Sequence, residues 1–388
     1  GYAVARQAAA KKNRDGDSHY RKVFVVSDRI AIDEQWTTEH SRFTIDGVGA
    51  ARPESSAELA RCVQSNAAED RVIITTIQKL GAYAKGAEVD NSHYYVVYDE
   101  AHRSSMGLNF YQLKKTMPNV ELFGLTGTPV LESSATNGVT TANVFGEVAH
   151  SYLMQDAMDD GNILAFDVIQ TEIKAHGSQP TAPVSSKLYT THVSKDILKK
   201  HVEFQSKHRE VILPSFVVCH DIDQAVDFYK ELTKQSAQEY ANSDIFVSTL
   251  YSSKTENRSM QRDAKKKDCY EEAIDSHNAR YGTAFKHSQV NEYSADVQGR
   301  LKQKQFKGRK PINIVVVVGM LMTGFDSEYV ESIFFVDKLT DATLVQAMFR
   351  AARRSEVESK RYARICIYQD GMREEIDTAL TKFNNDQD

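Results

Sequence analysis

Short runs that are apolar throughout, rather than at every second position, set the strongest limit on what this chain can fold into. Val23-Phe24-Val25-Val26, Val72-Ile73-Ile74, Tyr94-Tyr95-Val96-Val97-Tyr98 and Leu122-Phe123-Gly124-Leu125 are such runs, and helix-length segments separate them. A strand with one wet face alternates apolar with polar residues, whereas a continuous run must be covered on both faces. Strands alternating with helices in this way predict a parallel sheet with helices on either side. A second series follows at Ser215-Phe216-Val217-Val218, Ile245-Phe246-Val247, residues 312–318 and Ser332-Ile333-Phe334-Phe335-Val336. Between the two, Gly177-Ser178-Gln179-Pro180-Thr181-Ala182-Pro183 cannot hold a helix and reads as a linker.

The expected fold class is therefore α/β: two lobes, each a mostly parallel sheet with helices on both faces. The first lobe is placed at residues 1–175, the linker at 176–190 and the second lobe at 191–388. Residues 3–12 have helix-forming composition, and Val193, Ile197, Leu198 and Val202 mark one face of a helix after the linker. A polar, helix-biased stretch rich in Lys and Arg, near residues 255–310, reads as an insertion in the second lobe. A length of 388 residues suits two domains, and 41% hydrophobic residues suffice for buried cores.

The four cysteines are scattered without a CxxC pair, which argues against a disulfide framework and a zinc site and suits a reducing cytoplasm. No apolar run approaches the length of a membrane span, so no membrane partner is expected. A net charge of −5 does not advertise nucleic-acid binding, but a local basic track would suffice for it.

Four strings carry chemistry. Asp99-Glu100-Ala101-His102 follows a Tyr/Val strand, and the carboxyl end of such a strand is where open α/β sheets bind ligands. The first acid can hold a metal through water and the second can orient a hydrolytic water; an acidic turn capping the next helix would look similar. Leu125-Thr126-Gly127-Thr128-Pro129 ends another strand, with small hydroxyl residues beside a flexible glycine. Thr323-Gly324-Phe325-Asp326 follows the strand at 312–318. Gln346, Arg350 and Arg353 are spaced i, i+4, i+7, which predicts one helix face carrying two permanently charged guanidiniums suited to phosphate.

The order of these strings across two similar lobes resembles that of superfamily-two helicases and translocases. The likeness sharpens in Tyr98-Asp99-Glu100-Ala101-His102-Arg103-Ser104, Val25-Val26-Ser27-Asp28-Arg29 and Ile74-Thr75-Thr76-Ile77-Gln78-Lys79-Leu80. Val144-Phe145-Gly146, His150-Ser151-Tyr152, Asp159-Asp160-Gly161 and Phe335-Val336-Asp337-Lys338 extend it. Together they resemble the restriction (motor) subunit of type I restriction-modification enzymes, over nearly the whole chain. The resemblance implies two RecA-like lobes that use ATP and Mg²⁺ to translocate double-stranded DNA, beside modification and specificity subunits. It implies that Asp99 holds Mg²⁺, that Glu100 activates water, and that Arg350 and Arg353 meet the γ-phosphate with Gln346 beside them. Gly324 and Asp326 would lie near the ribose, and His102, Thr126 and Thr128 would couple nucleotide state to DNA contacts. Arg29, Thr75 and Thr76 would face the DNA backbone from the first lobe, and Thr323 and His220 from the second.

Two departures stand out. No GxxxxGK[ST] string occurs, and the expectation is that the phosphate loop lies just before Gly1, so that this chain alone turns over little ATP. Glu358-Ser359-Lys360 has a nuclease-like ExK spacing, but without a strand it reads as charged surface. Two alternatives stay open: a strand-separating superfamily-two helicase, and a DNA-binding scaffold without ATPase activity.

Overall fold

The computed structural model describes residues 2–27, 49–102, 106–130, 139–173, 186–251, 264–321 and 325–384. The chain divides into two compact units, Gly1–Ser151 and Tyr152–Asp388.

The first unit is built on β1 (Lys22–Ser27), β2 (Ala50–Ala51), β3 (Val72–Thr76), β4 (Tyr94–Asp99) and β5 (Val120–Leu125). They form a parallel sheet in the order β2-β3-β1-β4-β5. Its helices are α1 (Tyr2–Ala10), α2 (Ser56–Gln64), α3 (Ile77–Gly86), α4 (Met106–Thr116) and α5 (Thr141–Phe145). The continuous apolar runs are explained by which face each residue serves. Phe24, Val26, Ile73, Val96 and Tyr98 pack with Leu59 and Val63 of α2 and Ile77 and Leu80 of α3. Val23, Val25, Val72, Ile74 and Val97 pack on the other side with Ala5, Ala8 and Ala9 of α1. Small alanines let that helix lie close to the sheet, and each fully buried Val or Ile contributes about 1.5–3 kcal/mol.

The second unit carries α6 (Met154–Asp159), β6 (Phe166–Gln170), α7 (Lys187–Ser206), β7 (Val211–Ile212), β8 (Ser215–Val218), α8 (Ile222–Glu239) and β9 (Val247–Tyr251). It continues with α9 (Ala264–Tyr281), α10 (Val290–Leu301), β10 (Gln305–Phe306), β11 (Ile314–Val318), β12 (Ser332–Phe335), α11 (Asp341–Met348), β13 (Ala363–Ile367) and α12 (Met372–Asn384). A parallel six-stranded sheet runs β6-β13-β12-β8-β11-β9, and β7 and β10 form a small antiparallel ribbon. Two parallel α/β sheets flanked by helices are what the apolar runs require.

The boundaries differ from the sequence reading. Residues 152–173, expected with the first lobe, fold with the second, because Phe166–Gln170 pairs along its length with Ala363–Ile367. Residues 174–185, which include the expected 177–183 hinge, lie outside the described residues, and from Lys187 the chain is already helical. Of the stretch expected as an insertion near 255–310, residues 264–310 are described. Cys269, Tyr270 and Ile274 of α9 and Tyr293, Val297 and Leu301 of α10 belong to the same core as β8, β11 and β12. All four cysteines are buried, and none forms a disulfide.

Inside this core His201 is 1% exposed, with Nδ1 2.8 Å from Ser215 Oγ, and Nε2 has no partner among the described residues. Burial, helped by the neighbouring His208, pushes its imidazole down to about 3. In the unfolded chain a histidine titrates near 6.5, so the unfolded state takes up a proton that the folded state refuses. This contribution to stability is complete above pH 6.5 and is lost progressively as pH falls toward 3. The second unit is therefore expected to lose denaturant resistance between pH 6.5 and 4. A His201→Leu variant should show a flatter acid limb; an unchanged slope would assign the acid sensitivity elsewhere.

Candidate functional site

In the first unit the site lies at the carboxyl ends of β4 and β5. Their register pairs Asp99 with Leu125, so the two chains leave the sheet side by side. The Ala101 N–H then donates to the Leu125 carbonyl at 2.9 Å, extending the pairing into the loops. Gly124 permits this approach: a Cβ there would lie 2.9 Å from Ala101 Cβ and 3.0 Å from the Phe145 ring.

Glu100 has φ 55°, a left-handed conformation unusual for a residue with a side chain. Such local strain persists only where surrounding contacts enforce it, and it collects at functional sites. Here it turns the Glu100 carboxylate so that Oε2 lies 3.4 Å from His102 Nδ1. The same nitrogen is 2.9 Å from Thr126 Oγ1 and 3.2 Å from Thr128 Oγ1. The Thr128 N–H also donates to Thr126 Oγ1 at 3.1 Å. Nδ1 has either one proton or one lone pair, so it cannot donate to Glu100 and accept from the threonines at once. Asp99 accepts the Glu100 N–H at 3.1 Å. Burial, and then the charge of Glu100, raise its carboxyl above the usual range. Two adjacent carboxylates, with Asp99 raised by burial, fit a hard dication such as Mg²⁺, which would favour the charged form of Asp99.

Thr75 and Thr76 end β3, which β1 separates from β4, and are 1% and 4% exposed. Thr76 caps α3 by accepting the Lys79 N–H at 3.4 Å, and Thr75 Oγ1 has no partner among the described residues. As they stand, neither offers its hydroxyl to a ligand at the surface, because β3 lies inside the sheet. Arg29 lies outside the described residues.

The second unit brings its candidate residues together around the loop that follows β11. Arg350 Nη1 donates to the Phe325 carbonyl, and Arg353 Nε lies 2.9 Å from Asp326 Oδ1. Both arginines thus hold the 325–326 segment. Thr323 and Gly324, just before it, lie outside the described residues. Asp326 and Arg353 line an open cleft of about 390 Å³ with Lys302, Ser327, Glu328 and Arg354. Buried Lys360 donates to the carbonyls of Glu328 and Arg353, both at 2.7 Å, and so ties this loop to the arginine segment. Its burial lowers the ammonium to about 7. The ExK string is therefore neither a nuclease centre nor plain surface; its lysine is an interior strut.

The arginines are not on a helix face as the spacing predicted. α11 ends at Met348, and the Arg350, Ala351 and Ala352 N–H groups each donate three residues back. The chain tightens into successive turns and then bridges Arg353 to Ile163. No proline or glycine marks this stop, so it is not legible from residue types. Gln346 stays on the helix, half-buried, and Arg350 is half-buried beyond it. His220 is exposed after β8, where its N–H donates to Gln224 Oε1 at 2.9 Å.

Among the lysines and arginines of residues 300–310, four make bonds within the second unit. Arg300 pairs with Asp296 at 2.6 Å, Lys304 with Glu356 at 3.0 Å, and Lys310 donates to the Arg280 carbonyl at 2.7 Å. Lys307 donates to the Gln205 carbonyl at 3.2 Å.

Comparison with known proteins agrees with this architecture. Residues 3–196 match the family model of SWI2/SNF2 ATPases, and residues 213–370 match that of the type I restriction enzyme subunit R domain 3. The type I restriction enzyme SauCOLORF180P endonuclease subunit of Staphylococcus aureus (strain COL) is 28% identical over 386 residues, covering 95% of this chain. The putative type I restriction enzyme MjaIXP endonuclease subunit of Methanocaldococcus jannaschii is 22% identical over 97% of it. The chain spans only 40% and 35% of the length of these two relatives. Among solved structures, a fragment of a putative HsdR subunit from Vibrio vulnificus aligns with TM-score 0.57 and 14% identity, covering 93% of this chain and 55% of that one. Yeast Dbp5 bound to RNA and ADP BeF3 aligns with TM-score 0.54 and 12% identity, covering 100% of this chain and 81% of that one. At such identity the likeness is one of fold, and both sheets are RecA-like. With half of its length matched by one of these models and most of the remainder by the other, the chain belongs to the SWI2/SNF2 ATPases, among the R subunits of type I restriction enzymes.

Proposed function

We propose that this chain is the motor of a type I restriction enzyme, coupling ATP hydrolysis to translocation of double-stranded DNA. The observation that carries the reading is the Glu100–His102–Thr126–Thr128 cluster with its left-handed Glu100. The Glu100 carboxylate and the hydroxyls of Thr126 and Thr128 all approach one imidazole nitrogen, which supports a coupling between a water-activating carboxylate and the loop after β5. When Glu100 engages Nδ1–H, the threonines must turn to their other partners; when Glu100 turns to water, Nδ1 is released to them. A change at the nucleotide is thereby transmitted to the loop after β5 without any large motion of the sheet.

In this reading Asp99 holds Mg²⁺ through water, and the dication supplies charge neutralisation for the phosphates of ATP. Glu100 orients and deprotonates the attacking water. The roles of Arg350 and Arg353, which hold Phe325 and Asp326, as cations for the phosphoryl group, and of Gln346 beside them, rest on motif position alone. Asp326, released from Arg353, is free for the ribose, next to Gly324. DNA-facing roles for Arg29, Thr323 and His220 rest on motif position alone. DNA itself, and modification and specificity subunits, are proposed partners on the strength of the family. Among the described residues no helix is long and apolar enough to cross a membrane.

The test is displacement of a third strand from a DNA triplex by the full gene product with its partner subunits. ATP-dependent displacement without separation of the duplex strands is the expected result. Unwinding of the duplex would instead favour a strand-separating helicase. DNA binding with no hydrolysis would favour the scaffold.

A further inference from the structure

The opposite, amino-terminal edge of the first sheet carries a cluster that the motor reading does not use. His19 precedes β1, His93 precedes β4, and Glu121 lies in β5. These three strands are neighbours in the sheet, so residues distant in sequence are brought side by side. One donor atom from each residue lies within 4.8 Å of the others, and His19 Nε2 is 4.0 Å from Glu121 Oε1. The imidazole rings are 5.4 Å apart at their centres and inclined by 31°.

We infer that His19, His93 and Glu121 form a binding site for a zinc-class dication, which clips the edges of β1, β4 and β5 together. Two imidazoles and one carboxylate are a donor set for borderline metals, while Mg²⁺ and Ca²⁺ prefer oxygen alone. Around tetrahedral zinc, donor atoms sit roughly 3.4 Å apart, given metal–donor distances of about 2.0–2.2 Å. Closing from the present spacing needs about 1 Å of side-chain adjustment, which surface residues can make. The scattered cysteines argued against zinc, but this donor set uses no thiol.

The carboxylate is also already oriented. Tyr20 OH donates to Glu121 Oε2 at 2.7 Å, and Lys11 Nζ donates to the Tyr20 oxygen at 3.2 Å. That leaves Oε1 turned toward His19. Supporting bonds of this kind are characteristic of metal ligands, and losing one typically costs 10–100-fold in affinity. The main chain fixes His93 as well, because its carbonyl accepts the Arg21 N–H at 2.7 Å. These three residues offer three ligands, so a water would complete the coordination.

The test is calorimetric titration of the metal-stripped chain with Zn²⁺, alongside Co²⁺ absorbance to read coordination. One equivalent of Zn²⁺ should bind, Co²⁺ should give a tetrahedral spectrum, and excess Mg²⁺ should displace neither. His93→Ala or Glu121→Gln should weaken Zn²⁺ binding by about a hundredfold, and Tyr20→Phe by about tenfold. His93 and Glu121 are exposed, and circular dichroism checks that these variants remain folded. His287, which contacts Glu271 and Asp275 elsewhere, serves as the control, and His287→Ala should change nothing. Absence of binding, equal binding by the His93 and Glu121 variants, or loss of binding on His287→Ala would each overturn the assignment. None of these readouts depends on ATP hydrolysis.

Discussion

Glu100→Gln in the full gene product is expected to lower ATP turnover by about 10²–10⁴-fold while leaving nucleotide and DNA binding within a few-fold of wild type. That range is what a positioned general base typically contributes. The amide keeps the size of the carboxylate and can still present an oxygen to His102 Nδ1, so the left-handed turn and the threonine contacts should survive. What it loses is the ability to take a proton from water. The prediction separates chemistry from binding, because the adjacent Asp99 is untouched. Asp99→Asn should instead weaken Mg²⁺-dependent nucleotide binding, since its carboxylate is the proposed metal partner. Single-turnover hydrolysis and equilibrium nucleotide binding, measured on both variants, distinguish the two roles. Turnover by the Glu100 variant within about threefold of wild type would remove Glu100 from the mechanism.

The second large effect is on stability. Glu331 is 1% exposed at the start of β12 and accepts from His208 Nε2 at 3.0 Å and Arg364 Nε at 3.2 Å. Arg364 is itself buried and lies over the Phe204 ring at 4.3 Å, while His208 Nδ1 is 2.7 Å from Ser359 Oγ. Removing the carboxylate by Glu331→Ala leaves a buried guanidinium whose remaining acidic contact among the described residues is the more distant Asp167, at 4.0 Å. Breaking a buried pair in this way typically costs about 3–5 kcal/mol. A loss of that size should appear as faster hydrogen exchange in β8 and β12, and as a lower denaturant midpoint for the second unit. Glu331→Gln, which keeps the shape and one acceptor, should fall between. A cost below about 1 kcal/mol for Glu331→Ala would mean that water or a rearranged side chain replaces the carboxylate.

The sequence alone determined the architecture because burial on both faces of a strand writes itself locally. Val23 to Val26 had to be covered above and below, and the structure covers them with two separate cores. It also determined where chemistry would lie, since a strand end followed by Asp99 and Glu100 is a local pattern. Family likeness to type I restriction subunits was legible from the same strings.

What it could not determine depends on partners distant in the chain. Phe166–Gln170 falls with the first lobe by position, and only its hydrogen bonds to Ala363–Ile367 put it in the second unit, so the boundary near residue 151 was invisible. The stop of α11 at Met348 moved Arg350 and Arg353 off the predicted helix face and onto Phe325 and Asp326. Thr75 and Thr76, which the resemblance turned toward the DNA backbone, are buried at the end of β3. His19, His93 and Glu121 have no sequence motif at all, because only the parallel order β1-β4-β5 brings them to one edge. Periodicity records which faces a segment must bury, but which segment covers them, and which polar groups meet as a result, is decided by tertiary packing alone.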